Sequence, residues 1–203
     1  SNSAAREGEA AAVKAMPDTK RRAPDKQPRI YRSFIDRKVE DGKLLEISFK
    51  NEEKFNFAFD VVDALGISKP DKLAMLHVAE DMTERRFTFQ DMKKESARAA
   101  NYFKSLGIKR GDRVMLVLKR HYQFWFSILG LHKLGAIAIP ATNQLVEKDF
   151  VYRFQAADVS AIVCTADGDV AHQVELAEKT AGMELTKILV NGSREGWHDF
   201  DNE

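Results

Sequence analysis

The sequence is poor in several things that would narrow its class. One cysteine, Cys164, leaves no disulfide framework and fits a reducing compartment. Lysine plus arginine number 32 against 31 aspartate plus glutamate, a net charge of +1, so the basic excess of nucleic-acid and membrane-surface binders is missing. No apolar run approaches the roughly eighteen residues of a membrane-spanning helix, and the N-terminus has no apolar signal-peptide core. These absences predict a cytoplasmic protein with no membrane span and no nucleic-acid partner.

The common motifs of reaction chemistry are missing as well. The sequence contains neither G-x-x-x-x-G-K-S/T nor G-x-G-x-x-G, the two commonest phosphate-binding loops, and no G-x-S-x-G nucleophile elbow. His77, His121, His132, His172 and His198 show no metal-ligand spacing and read as surface or partly buried histidines. Cys164 lies within an apolar strand, where a thiol is an inert core residue. Asn191-Gly192-Ser193 is a formal glycosylation sequon, expected to be unused.

What is present is a chain of 203 residues, 44% of them hydrophobic, enough for one sizeable core. Residues 1–29 hold three of the five prolines and no aromatic, and read as a disordered tail or cloning scar. The "KRR" at 20–22 reads as a solvated charge cluster within it. Residues 30–54 form an N-terminal extension in which "VEDGKLLEISF" is either a hairpin about Asp41-Gly42 or two short helical pieces.

From Phe55 onward the pattern sharpens. In "FNFAFDVVDALG", Asn56 can cap a helix with Phe57, Val61, Val62 and Leu65 on one face and Gly66 at its end. "KLAMLHV" and "RRFTF" read as a strand pair. "TFQD" matches a capping box, Thr88 with Asp91, opening a helix with Met92, Ala99, Phe103 and Leu106 inward and Gly107 at its C-terminal stop.

A strict alternation follows. Strands 113–118, 136–139, 161–165 and 187–190 are separated by helices 122–134, 147–156 and 169–181. Continuously apolar strands separated by single helices predict an α/β fold: a mostly parallel sheet with helices on both faces. Helix 122–134 is apolar nearly all round and should be deeply buried, and "AIAI" should be an interior strand. The tail after 190 closes no architecture, so residues 55–203 are expected to be an incomplete domain. Ligands of such sheets gather beyond the carboxyl ends of the strands, here "KRHYQFW", "PATNQL" and "ADGDV".

"RRFTFQDM", the run from "LGIKRGDRVMLVL" through "LHKLGAIAIPATNQL", and "FVYRFQAADVSAIVCTADGDV" resemble, in order and spacing, the N-terminal part of the adenylate-forming (AMP-binding) enzymes. "FNFAFDVVD", "PATNQL" and "GWHDF" are similar to the medium-chain acyl-CoA synthetase branch of fatty acid metabolism. Such ligases join ATP and a carboxylate into an acyl-adenylate, releasing pyrophosphate, and then pass the acyl group to CoA, releasing AMP. ATP, Mg²⁺ and CoA are thus the implied cofactors of the intact enzyme, and a carboxylate is its substrate.

The family's phosphate loop, ribose aspartate and catalytic lysine lie beyond "GWHDF". The resemblance therefore implies no catalytic residue in this fragment, no tightly bound cofactor, no metal site and no adenylation activity without the missing C-terminal part. One contact is implied here: Gln144 matches the polar residue beside the CoA tunnel, and is expected to touch CoA or the acyl group unless it caps the next helix or faces water. The arginines that hold CoA's phosphate in the acetyl-CoA synthetase branch have no match in "VAHQVE". The alternative is a stand-alone α/β ligand-binding or protein-interaction module.

Overall fold

The computed structural model describes residues 29–203. The tail expected over 1–29 therefore lies almost wholly outside the described residues. The chain divides into two compact units, one ending at Lys50 and one spanning Asn51–Glu203.

In the first unit a 3₁₀ turn, Ile30–Ser33, precedes an antiparallel hairpin of β1 (Ile35–Glu40) and β2 (Lys43–Phe49). Asp41 and Gly42 both adopt positive φ, 48° and 76°, the two-residue turn whose twist matches that of paired strands. The hairpin, rather than two helical pieces, is what forms. Partners across the strands share a face, so Ile35, Phe49 and Ile47 lie on one side and Asp36, Ser48, Lys38 and Glu46 on the other.

The second unit opens with a π-helical stretch, Ala58–Asp63, running into α1 (Ala64–Ser68). Asn56 Oδ1 accepts the Ala58 and Phe59 amides at 3.0 and 3.4 Å, the capping expected of it. Two expectations fail here. Phe57 points outward and Ala58 and Val62 form the buried stripe, because the π-helix rotates successive side chains differently from an α-helix. Gly66 does not end the helix but sits within it: a Cβ there would lie 2.9 Å from the Phe89 carbonyl oxygen, so this glycine permits close contact with the next helix.

β3 (Leu73–Val78) and β4 (Glu84–Thr88) form the expected hairpin, and α2 (Phe89–Ser105) follows directly. The capping box is realised: Asp91 N–H donates to Thr88 Oγ1 at 3.2 Å and Thr88 N–H donates to Asp91 Oδ2 at 2.9 Å. Met92, Ser96, Ala99 and Phe103 form the buried stripe of α2. Gly107 takes φ of 87° just past its end.

The remaining elements are β5 (Arg113–Val117), α3 (Gln123–Leu134), β6 (Ile137–Pro140), α4 (Glu147–Ala156), β7 (Ala161–Thr165), α5 (Val170–Ala181), β8 (Thr186–Val190) and the short β9 (His198–Asp199). They build a five-stranded, wholly parallel sheet in the order β6-β5-β7-β8-β9. The α/β fold read from the sequence is thus confirmed. Alternate residues of each central strand serve opposite cores. Val114, Leu116, Ala161, Val163, Ile188 and Val190 meet α2 and α3, while Met115, Val117, Ile162, Cys164 and Leu189 meet α4 and α5.

Three details depart from expectation. β6 lies at the sheet's edge among the described residues, with Ile137 half exposed; an apolar run specifies a strand but not its place in the order. Pro140, which has no amide proton to donate, suits an edge. Helix α3 is not buried all round, since Trp125 is 49% exposed. β9 was not foreseen. It is fixed from outside itself: Arg194 makes a two-pronged ion pair with Glu175 at 2.7 and 2.8 Å, and Trp197 Nε1–H donates to the same carboxylate.

Candidate functional site at the carboxyl end of the sheet

The route of the chain makes a cleft. From β5 it crosses to one edge through α3 on one face, then returns over β5 through α4 on the other face to reach β7. The loops leaving the neighbouring strands β5 and β7 therefore diverge to opposite faces, the switch point at which open α/β sheets bind ligands. A cleft of about 750 Å³ opens there, lined by His77, Lys119, His121, Thr142, Asn143, Asp167 and Asn191 among others. The three strand ends singled out in the sequence all meet at this end of the sheet.

Each wall has a local cause. After β5, Lys119 turns the chain at φ of 47°, a conformation unfavourable for a lysine, and its ammonium reaches Asp167 at 3.1 Å. After β7, the Asp167 amide donates to Thr165 Oγ1 at 3.1 Å, curling the loop back over its own strand. After β8, Asn191 sits at φ of 63°, which asparagine tolerates, and Gly192 lets the β8 loop lie against Ala166, whose Cβ would be 2.6 Å from a Cβ at that position. His77 arrives from β3 and stacks edge-on to Tyr122.

Behind the cleft runs a polar network. His121 Nε2 lies 2.7 Å from Thr165 Oγ1, and its Nδ1 lies 3.2 Å from Asn191 Nδ2. Gln123 Nε2 donates to Asn191 Oδ1 at 2.7 Å and to Asp201 Oδ1 at 2.9 Å. Burial holds the His121 pKa below the ordinary imidazole value; Asp167 opposes that shift and Lys119 adds to it. On the far side of the sheet, burial pushes the Cys164 thiol up to about 12, so it is no nucleophile at neutral pH.

Gln144 is exposed in an adjoining depression of about 250 Å³ that shares Lys119, Asn143 and Asp167 with the cleft. It does not provide the cap of α4. That end is closed by Asp149 Oδ2, which accepts the Val146 amide, and by Gln173 Oε1, which accepts the Glu147 amide at 2.8 Å. The "VAHQVE" stretch forms the start of α5 beyond the same loop.

His121, Gln123, Thr165, Asn191 and Asp201 were not assembled by sequence reasoning. Asn191 registered only as a sequon, although it follows a parallel strand, and the strand-end rule would have found it. Among the described residues, no group of three or more His, Cys, Asp or Glu side chains is placed to hold a metal ion. A second groove of about 790 Å³ lies between the π-helix, α2 and α3. No strand ends converge on it and its carboxylates are committed, Asp63 to Lys133 and Asp91 to the α2 cap.

The sequence model for the AMP-binding enzymes matches residues 67–201, from α1 to the turn after β9. The chain belongs to that family. Among its curated relatives, rat mitochondrial acyl-coenzyme A synthetase ACSM5 is 35% identical over 154 residues, which are 73% of this chain and 26% of the relative. Human mitochondrial ACSM3 is 32% identical over 151 residues, 71% of this chain and 26% of that protein. The AMP-binding chain described here thus spans about a quarter of the length of these relatives. An acyl-CoA synthetase of Brucella canis superposes with a TM-score of 0.61 at 26% identity, covering 72% of this chain and 26% of that one. An anthranilate CoA ligase bound to anthranoyl-AMP shares the fold, with a TM-score of 0.59 at 23% identity over 72% of this chain and 27% of that one. No helix among the described residues is long and apolar enough to cross a membrane.

Proposed function

We propose that this chain is the N-terminal portion of an AMP-forming acyl-CoA synthetase, with residues 55–203 as an incomplete AMP-binding domain and 30–54 as an extension to it. The parent enzyme would convert ATP, a carboxylate and CoA into acyl-CoA, AMP and pyrophosphate through an acyl-adenylate. The observation that carries this reading is the switch-point cleft, formed by the strand ends of a chain similar to acyl-coenzyme A synthetases over most of its length. The relatives are named mitochondrial, so the expected cytoplasmic location gains no support from them.

Adenylation needs donors around a triphosphate and a cation to offset its charge. The sequence has no glycine-rich phosphate loop, and this reading assigns no step of the reaction to the described residues. Their role in this reading is to form one wall of the ligand site. Gln144 carries an amide donor and an amide acceptor in the depression beside the cleft, a match for the peptide-like groups of CoA's pantetheine arm.

The chain alone should give ATP–pyrophosphate exchange no higher than a protein-free blank, whereas a longer product of the same gene should exchange and form a thioester. Exchange by the chain alone would overturn the assignment of the reacting groups to other sequence. Tight binding of an unrelated small molecule or a protein by the chain alone would favour the stand-alone module instead. In the longer protein, Gln144→Ala should raise KM for CoA about tenfold, the worth of one good hydrogen bond, with kcat nearly unchanged. An unaltered KM would remove Gln144 from the CoA path.

A further inference from the structure

The hydrogen bonds behind the cleft have directions that chemistry fixes. Asp201 is the starting point. A carboxylate only accepts, so the Gln123 group 2.9 Å from its Oδ1 is the amide NH₂. The same NH₂ lies 2.7 Å from the Asn191 side chain, which must present its oxygen. Asn191 therefore turns its own NH₂ toward His121, 3.2 Å from Nδ1, and that ring nitrogen must be bare to accept. The ring proton is then on Nε2 and is donated to Thr165 Oγ1 at 2.7 Å. Asp201 closes the circuit by accepting the Asn191 backbone amide at 2.7 Å.

We propose that His121 is a proton-operated latch: neutral, it ties the end of β7 to the loop after β8, and on taking a second proton at Nδ1 it releases Asn191, and with it the β8 side of the cleft rim, while Nε2–H stays on Thr165. A proton on Nδ1 would face the Asn191 NH₂, donor against donor. Asn191 has no escape by turning over, because its NH₂ would then meet the Gln123 NH₂ that Asp201 holds in place. A charged ring and the intact network are therefore incompatible.

The backbone supplies a second, independent observation. Asn191, in the loop that His121 holds, has a left-handed φ of 63°. Outside glycine that conformation is sparsely populated and persists while its surroundings enforce it. Loss of the Nδ1 contact removes one of the contacts that enforce the backbone at Asn191.

The charged and titratable groups facing the ring come from every side. Lys119 from its own loop and His77 from β3 disfavour a charge on it, and Asp167, 3.8 Å from Nε2, and Asp201 favour one. Burial is the largest influence and sets the balance toward the neutral ring. Because the folded chain holds this proton less readily than the unfolded chain, whose imidazole value is 6.5, the latched state is fully stabilised above that value and weakens as pH falls through the lower folded one. The device operates whichever ligand the cleft takes.

The test is proton–nitrogen NMR on the whole chain between about pH 7.5 and about pH 5. At the upper end the His121 ring should carry its proton on Nε2. As pH falls, the ring and the backbone amide of Asn191 should shift with one common midpoint below 6.5, and exchange of the Asn191 amide should quicken by about tenfold or more beyond the intrinsic pH effect. In His121→Gln the same amide should stay still across this range. A ring proton on Nδ1 at neutral pH would overturn the latch, as would a ring titration that leaves Asn191 unmoved. An equal amide shift in His121→Gln would overturn it too. If that variant does not fold, the wild-type midpoints decide alone.

Discussion

Lys133→Ala should unfold the second unit more readily by about 3–5 kcal/mol, the cost of stranding one half of a buried ion pair. Lys133, near the end of α3, is only 6% exposed and its ammonium lies 2.8 Å from Asp63 Oδ1, itself on a carboxylate 14% exposed. The contact is ionic, and Asp63 Oδ1 has no hydrogen-bond donor besides it, so its compensation rests on that ammonium. The same Nζ donates to the Lys93 carbonyl at 3.1 Å and stands 5.6 Å from the Phe59 ring centre. One side chain thus joins the π-helix, α2 and α3. Removing it leaves a carboxylate with little water and no cation, while the double change Asp63→Asn with Lys133→Met should recover most of the loss. Denaturant melts of the four proteins of that cycle measure it. A cost for Lys133→Ala below about 1 kcal/mol would show that water reaches Asp63 freely.

Phe154→Ala should cost a similar amount, about 3–5 kcal/mol, by a different route: lost burial plus the cavity left behind. Phe154 is completely buried, 5.7 Å from Phe150 between ring centres, in the core that joins α4 to the sheet. Two residues earlier on the same helix, Tyr152 is 70% exposed, and Tyr152→Ala should stay within about 0.5 kcal/mol of the parent. At roughly 2–4 °C per kcal/mol for a domain of this size, the two changes separate plainly in a thermal melt. Equal shifts would mean that α4 faces the sheet by another side.

Local signals carried most of the fold. The Thr88–Asp91 capping box opens α2 where the letters say it should, and Gly135, the glycine that directly follows helix 122–134, ends α3 in the left-handed conformation. What stayed hidden depends on partners distant in the chain. Gly66 reads as a helix stop until the Phe89 carbonyl is placed against it. "AIAI" reads as an interior strand until the strand order is known. The circuit through His121, Thr165, Asn191 and Asp201 draws on four stretches of sequence, and nothing local to any of them announces the others. Gln144 was reached only through resemblance, and its neighbours in the sequence do not single it out.

The strand order has a consequence for synthesis. β5, the first strand of the large sheet to leave the ribosome, is the one the others build upon. β6 then adds to one side of it, β7 to the other, β8 to β7 and β9 to β8. Every new strand joins an edge that is free when it emerges, and none must be wedged between two already paired. The sheet can therefore grow as it is translated, with each crossover helix covering part of a sheet face before the next strand arrives. An assembly of this kind leaves little time for bare apolar sheet faces to meet those of a neighbouring nascent chain.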